Sequence, residues 1–244
     1  MNLYEYTANP KYQRHGRHGA ACQKSFLFFE QHTSIRYVNR NTQFVHLHVH
    51  TKFSLLDGAC HLDQLMDFAL ENNMPAMAIT DHGVMYGAVD FYKAAKSKGI
   101  KPIIGCEFYV APTSRFDKTG ARPNHLVLLA SDETGYSNLI YLASMAHLEG
   151  FYYKPRIDKA LLAERSKGLI GLSACLQGGV ASKLLQEDVD GAVKETGEYT
   201  DILGKDNFFL EVQDHGLRDQ HKVNKLLPIV SNRSGTLLVA TNDV

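Results

Sequence analysis

Residues 44–59, FVHLHVHTKFSLLDGA, set His46, His48 and His50 on alternate positions of an apolar run, and Asp57 follows a few residues later. Side chains two apart on a β-strand point the same way. Read as a strand over 44–50, the run offers three imidazoles on one face. His48 and His50, at its end, can then address one ion. What that face looks at depends on the rest of the chain.

Working outward, six further short apolar runs follow: AMAIT (76–80), PIIGCEFYV (102–110), HLVLLA (125–130), LIGLSA (169–174), FFLEV (208–212) and LLVAT (237–241). Amphipathic stretches lie between most of them, including 62–73, 86–99 and 135–150. Leu62, Leu65, Met66, Ala69 and Leu70 recur at helical spacing, and Gly99 and Gly150 are expected to cap their helices. Near-continuous apolar strands alternating with helices point to a parallel sheet covered on its outside. Seven such runs favour a barrel over an open dinucleotide-binding sheet. Neither GxGxxG nor GxxxxGK[ST] occurs, which argues against a nucleotide cradle of either kind.

In a parallel α/β barrel, chemistry gathers where strands end and loops begin. The first run closes on His48 and His50, with Asp57 beyond it. The second closes on TDHG, placing Asp81 and His82. The third carries Glu107 in GCEFY, the fifth leads to Cys175 in SACLQGG, and the last leads to Asp243 in TNDV. Imidazole, carboxylate and a single thiolate suit zinc and related ions, and the oxygen donors also admit manganese or magnesium. One tetrahedral ion cannot use so many donors, so a multi-metal cluster is expected, of the kind used in phosphoester cleavage. A lone strand-end histidine is more often structural, and HxH alone is weak; HxHT with SLLDG, TDHG and GCE is a far more specific combination. His125 begins its run, so strand-end logic would put it at the wrong pole and leaves its role open. Cys60, Cys106, His61, His147 and His221 lack this context and are read as core or surface, as are Cys22, His15, His18 and His32.

Bulk properties narrow the classes. The chain has 244 residues, 44% hydrophobic and 21% charged, with zero formal net charge, so no global field draws it to nucleic acid. Four widely spaced cysteines without a CxxC pair suggest reduced thiols and a cytoplasmic setting. No run approaches the roughly 20 apolar residues that span a bilayer, so no membrane partner is expected. Residues 10–43 carry Lys11, Arg14, Arg17, Lys24, Arg36 and Arg40 against Glu30, and residues 1–43 are read as a disordered extension.

Taken with MPAMAITDHGVMYGAVDFYKAAKSKGIKPIIGCEFYVAP (74–112), GFYYKPRID (150–158), GLIGLSACLQGG (168–179), EVQDHG (211–216) and LVATNDV (238–244), the opening motif resembles one family. It is the polymerase and histidinol phosphatase (PHP) domain at the amino-terminal end of bacterial DNA polymerase III alpha subunits, matched over 44–244. The resemblance implies a distorted seven-stranded (β/α) TIM-like barrel with divalent ions in one mouth. Its ligand pattern falls on His48, His50, Asp57, His82, Glu107, His125, Cys175 and Asp243, settling His125 in favour of metal and leaving His46 as a neighbour. It further implies a metal-dependent phosphoesterase or 3′–5′ exonuclease that also serves as a scaffold. The implied partners are DNA, the remainder of the polymerase chain and the proofreading exonuclease subunit. Two departures stand out. The family pattern continues past TNDV to a ninth ligand, a histidine, so the domain is expected to be cut short of it. Gly178-Gly179 also replaces the usual Gly-Glu pair. The alternatives are a free-standing phosphoesterase of the same superfamily acting on a small phosphate ester, and a non-catalytic interaction module.

Overall fold

Residues 44–55 and 57–244 are described by a computed structural model; the extension expected over 1–43, with Cys22, His15, His18 and His32, lies outside the described residues. The order of elements is α1 (Leu62–Glu71), β1 (Ala76–Ile79), α2 (Ala88–Ser97), β2 (Lys101–Val110), β3 (Asn124–Ala130), α3 (Glu133–Leu148), β4 (Arg156–Ile157), α4 (Lys159–Glu164), β5 (Leu169–Leu172), α5 (Gly179–Leu185), α6 (Val189–Leu203), β6 (Phe208–Val212), α7 (Arg218–Ser234) and β7 (Leu238–Ala240). The strands form one sheet in the order β1-β2-β3-β5-β6-β7, with β4 added beside β2. Among the described residues no helix is long and apolar enough to cross a membrane.

Period-two alternation sorts the side chains into an inner and an outer core. On β1, Ala76 and Ala78 face inward while Met77 and Ile79 pack on α1 and α2 with Leu65, Met66 and Phe91. On β3, Val127 and Leu129 face inward, whereas Leu126 and Leu128 join Phe108, Leu139, Tyr199 and Phe208 beneath the helices. The inner cluster holds Val45, Leu47, Ala78 and Val239 together, so residues from both ends of the strand order meet. The sheet is therefore rolled strongly on itself, a curled α/β half-barrel. Fully burying each large apolar side chain contributes about 1.5–3 kcal/mol.

Three expectations need correction. The sheet is not wholly parallel: β3 runs antiparallel to both β2 and β5, whereas the β1–β2, β2–β4, β5–β6 and β6–β7 pairs are parallel. The run 44–50 is not a regular strand. It lies along β1, where His46 O accepts from Ala78 N and Val49 O from Thr80 N, and His50 N donates to Val244 O. Accepting carbonyls three residues apart break the two-residue ladder repeat, and the chain bends at His48. Gly99 adopts φ = +72° just past α2, as a left-handed cap should, but Gly150 is needed for another reason. A Cβ there would lie 1.8 Å from the Arg156 carbonyl oxygen, so close backbone approach demands glycine. β4, only two residues long, carries no sequence signal of its own.

Candidate metal centre

The candidate side chains reach the mouth of the half-barrel from several elements, His48 and His50 from one segment. Phe108 and Val110 of β2 lie in the outer core, so their neighbours Glu107 and Tyr109 turn inward. Past β1 the β1–β2 pairing continues, with Glu107 N donating to Asp81 O and Gly83 N to Glu107 O, which seats His82 beside Glu107. His125, the second residue of β3, pairs with Tyr109, two residues beyond Glu107. Because β3 runs backwards, its first residues lie where the parallel strands end. Strand-end logic, which takes every strand to be parallel, therefore misplaces His125.

Glu107, 1% exposed, is the hub. Its carboxylate lies 3.4 Å from His48 Nε2, 3.8 Å from His50 Nε2 and 2.9 Å from His125 Nδ1, and it touches His82 Nδ1. Donor atoms of His48, His50 and Glu107 lie within 4.8 Å of one another, and so do those of His82, Glu107 and His125. The two triads share Glu107. Asp243 Oδ1 joins the first triad, 3.1 Å from His50 Nε2 and 3.6 Å from His48 Nε2. Asp57 adjoins the second, 3.3 Å from His82 Nε2, with its side chain 64% exposed at the rim. Cys175 Sγ lies 3.9 Å from His125 Nδ1, at the edge of the group. All eight sequence-derived candidates thus border one mouth. His46 stays apart, packed against Phe44 and Phe68, and Cys106 is buried in the outer core. His147 bonds to the Gly83 carbonyl, and exposed His221 pairs with Asp214.

The electrostatics follow from this crowding. Burial opposes an ionised Glu107, yet the His125, His48 and His82 imidazoles outweigh it and hold its carboxyl well below the usual range. Burial likewise opposes a charged His48, but Glu211 and Glu107 override it and raise its pKa. Asp243 is held at about 2, burial being outweighed by His50 and His48. Burial and the Glu107 and Asp243 charges push the Cys175 thiol up, so a thiolate here needs a cation.

Two features make the donor set fit divalent ions. His82 Nδ1 and Glu107 Oε2 are in contact, yet neither buried atom has an assigned hydrogen bond. His48 and His50 point Nε2 at each other, 3.1 Å apart, an approach that a shared cation relieves.

Sequence reasoning missed the layer behind these groups. His48 Nδ1 meets Glu211 Oε1 at 2.8 Å, an oxygen that also accepts from Gln213 Nε2 at 2.9 Å and from Thr241 Oγ1. A carboxylate behind an imidazole fixes its tautomer and aims the other nitrogen forward. The available signal was a glutamate inside the apolar run FFLEV, with Gln213 two residues on. Asp81, also at a strand end, is committed elsewhere: its carboxylate accepts from Thr51 N, Thr51 Oγ1 and Ser54 Oγ, tying the loop after the first run to β1.

Comparison with known proteins gives a consistent picture. The family model described as PHP domain matches residues 46–215. The chain is 51% identical over 205 residues to the DNA polymerase III subunit alpha of Treponema pallidum, covering 82% of this chain and 18% of that protein. It is 50% identical over 208 residues to the Thermus aquaticus subunit of the same name, with 82% and 17% covered. The chain therefore spans less than a fifth of the length of these relatives. Among solved structures, a Bifidobacterium adolescentis chain described as a candidate metal-dependent phosphoesterase superposes with a TM-score of 0.50 at 14% identity, covering 82% of this chain and 86% of that one. This last likeness concerns the fold.

Proposed function

Because the chain belongs to the PHP domain family, we propose that it is a metal-dependent phosphoesterase module, acting as a 3′–5′ exonuclease on DNA within a bacterial replicative polymerase alpha subunit. The observation that carries this reading is the pair of donor triads sharing Glu107, with two buried donor atoms lacking a hydrogen-bond partner. His48, His50, Asp57, His82, Glu107, His125, Cys175 and Asp243 would hold the ions, which are zinc, manganese or magnesium and more than one in number. When bound, such ions make water acidic enough to act near neutral pH and hold charge developing on phosphate oxygens.

The chain's own residues prepare that chemistry. Glu211 accepts a hydrogen bond from His48 Nδ1–H and so leaves Nε2 free to face the mouth. Gln213 and Thr241 hold Glu211 in turn. Glu107, kept ionised by its imidazole neighbours, places one carboxylate between the two triads. Tyr109 and His82 stack along one wall of the mouth, and exposed Asp57 stands at its rim. Identity near 50% to two polymerase alpha subunits supports a role in DNA replication. The polymerase's nucleotidyl transfer then belongs to the remainder of that chain. The remaining partners in this reading are DNA and the proofreading exonuclease subunit, in the cytoplasm.

The test is elemental analysis of protein purified without a metal-binding tag, paired with cleavage of a 3′-labelled single strand across a manganese titration. The expected result is bound transition metal and manganese-dependent cleavage, both lost in a His48→Ala, His50→Ala double variant. Metal content and cleavage equal to wild type in that variant would refute the reading.

A further inference from the structure

Beside the donor cluster opens a cavity of about 260 Å³ lined by Asp57, His82, Tyr109, Arg122, Lys154 and Gln177, among others. Its two cations can be set against the ion-paired ones elsewhere in the fold. Arg115 pairs with Glu149 and Asp158, Lys159 with Glu195 and Glu198, and Arg233 with Asp190. Neither Arg122 nor Lys154 forms an ion pair among the described residues. Arg122 is instead held by a neutral partner, donating from Nη2 to Gln177 Oε1 at 2.6 Å. That bond holds the guanidinium without neutralising it, and among the described residues it is the one hydrogen bond the guanidinium makes. Lys154 lies over the Tyr109 ring, 5.2 Å from the centroid, so it too is steered without being neutralised. Two placed cations in one cavity, neither of them ion-paired, suit an anion, and arginine's planar fork suits phosphate in particular.

Next to Lys154 in the chain stands an exposed aromatic side chain. Tyr153 precedes Lys154, is 83% exposed, and sits at φ = +59°, a left-handed backbone that a tyrosine adopts only under constraint. Its ring meets Tyr152 in a T-shaped contact with centroids 4.6 Å apart, and most of the side chain stays open to solvent. A small phosphate ester could use the two cations, but not an exposed ring beyond them. A strand can use both, because its next phosphate and base lie beyond the reacting one.

We propose that Arg122 and Lys154 cradle the phosphate adjoining the scissile one, with Tyr153 stacking a base, so that the site selects a single-stranded nucleic acid with consecutive phosphates. This rests on the phosphoesterase reading for which phosphate is scissile, but its test is a binding measurement. The probe is a fluorescein-labelled, phosphorothioate-linked single-stranded octamer, titrated by anisotropy between 50 and 200 mM salt, with thymidine monophosphate and inorganic phosphate as competitors. Losing one phosphate contact on a single strand lowers the log–log salt slope by about 0.7. Arg122→Gln and Lys154→Gln should therefore each shrink the salt-induced loss of affinity by about 2.5-fold over that range. Tyr153→Leu should weaken binding by about five-fold or more without changing the slope. Lys205→Gln, at an exposed lysine just before β6 and so at the opposite pole, should match wild type, and the monophosphate should compete poorly.

An Arg122→Gln, Lys154→Gln double variant with wild-type affinity and slope would overturn the cradle. Wild-type affinity in Tyr153→Leu, or displacement of the octamer by equimolar monophosphate, would overturn the assignment to a strand. Strand cleavage in manganese, measured on the same proteins, separates the two ideas. Cleavage with unaltered binding in the double variant sinks the cradle alone, whereas weakened binding with no cleavage by the wild type sinks the phosphoesterase reading and leaves the cradle standing.

Discussion

Glu211 touches none of the open cavity, yet replacing it should loosen the metal centre. His48 is wholly buried, and its Nδ1 has Glu211 Oε1 at 2.8 Å. The same oxygen accepts from Gln213 Nε2 and Thr241 Oγ1. In Glu211→Gln the amide oxygen can take over all three bonds, so only the negative charge behind the imidazole is lost. In Glu211→Ala the three donors lose their shared acceptor and His48 is free to turn. Removing such a supporting partner typically weakens metal affinity by about 10- to 100-fold. Glu211→Gln belongs near the lower end, about 1.4 kcal/mol, and Glu211→Ala near the upper, about 2.7 kcal/mol. The assay is manganese or zinc titration against a competing chelator, with circular dichroism of the metal-free proteins to confirm folding. A folded Glu211→Ala protein with wild-type metal affinity would refute the reasoning. So would a Glu211→Gln protein weakened as much as Glu211→Ala, since charge and not hydrogen-bond geometry would then be responsible.

Two further outcomes concern the scaffold. Gly150→Ala forces a methyl to 1.8 Å from the Arg156 carbonyl oxygen, so the backbone between α3 and β4 must move; urea unfolding should show a loss of at least about 1–3 kcal/mol, and an unchanged midpoint would mean the close approach is not required. Asp158 caps α4 through Leu161 N and accepts two bonds from Arg115 Nη1. Burial pushes its carboxyl up, but bonds from the Arg115 and Leu161 N–H groups and the Arg115 charge hold it below the usual range. A carboxyl depressed in the folded state stabilises above its unfolded pKa, near 4, and that stabilisation is lost as pH falls through the lower folded value. Asp158→Asn should therefore flatten the acid limb of a stability–pH curve below about pH 4 and cost about 1.5–3 kcal/mol at pH 7; an acid limb identical to wild type would show that this carboxylate plays no part.

Much of the protein was legible in residue patterns because the deciding forces are local or periodic. Of the residues that repeat at helical spacing, Leu62, Leu65, Met66 and Ala69 are the ones α1 buries, while Leu70 is exposed. FFLEV reads as a strand and is one, and Gly99 marks the end of α2 because a left-handed residue there carries no Cβ. The chemistry was legible for a related reason: the residue types that bind metals are few, and strand ends concentrate them. Strand direction has no such local signature. HLVLLA reads the same whether it runs with its neighbours or against them; the direction of β3 is decided by pairing with β2 and β5. That pairing decides which pole receives His125. The bend at His48 likewise depends on β1 on one side and Val244 on the other. Glu211 shows the same limit, since it meets His48 across 163 residues of chain. Local pattern determined which elements form and which side chains can do chemistry. Long-range pairing, whose partners no short window contains, decided which of those side chains meet and which groups stand behind them.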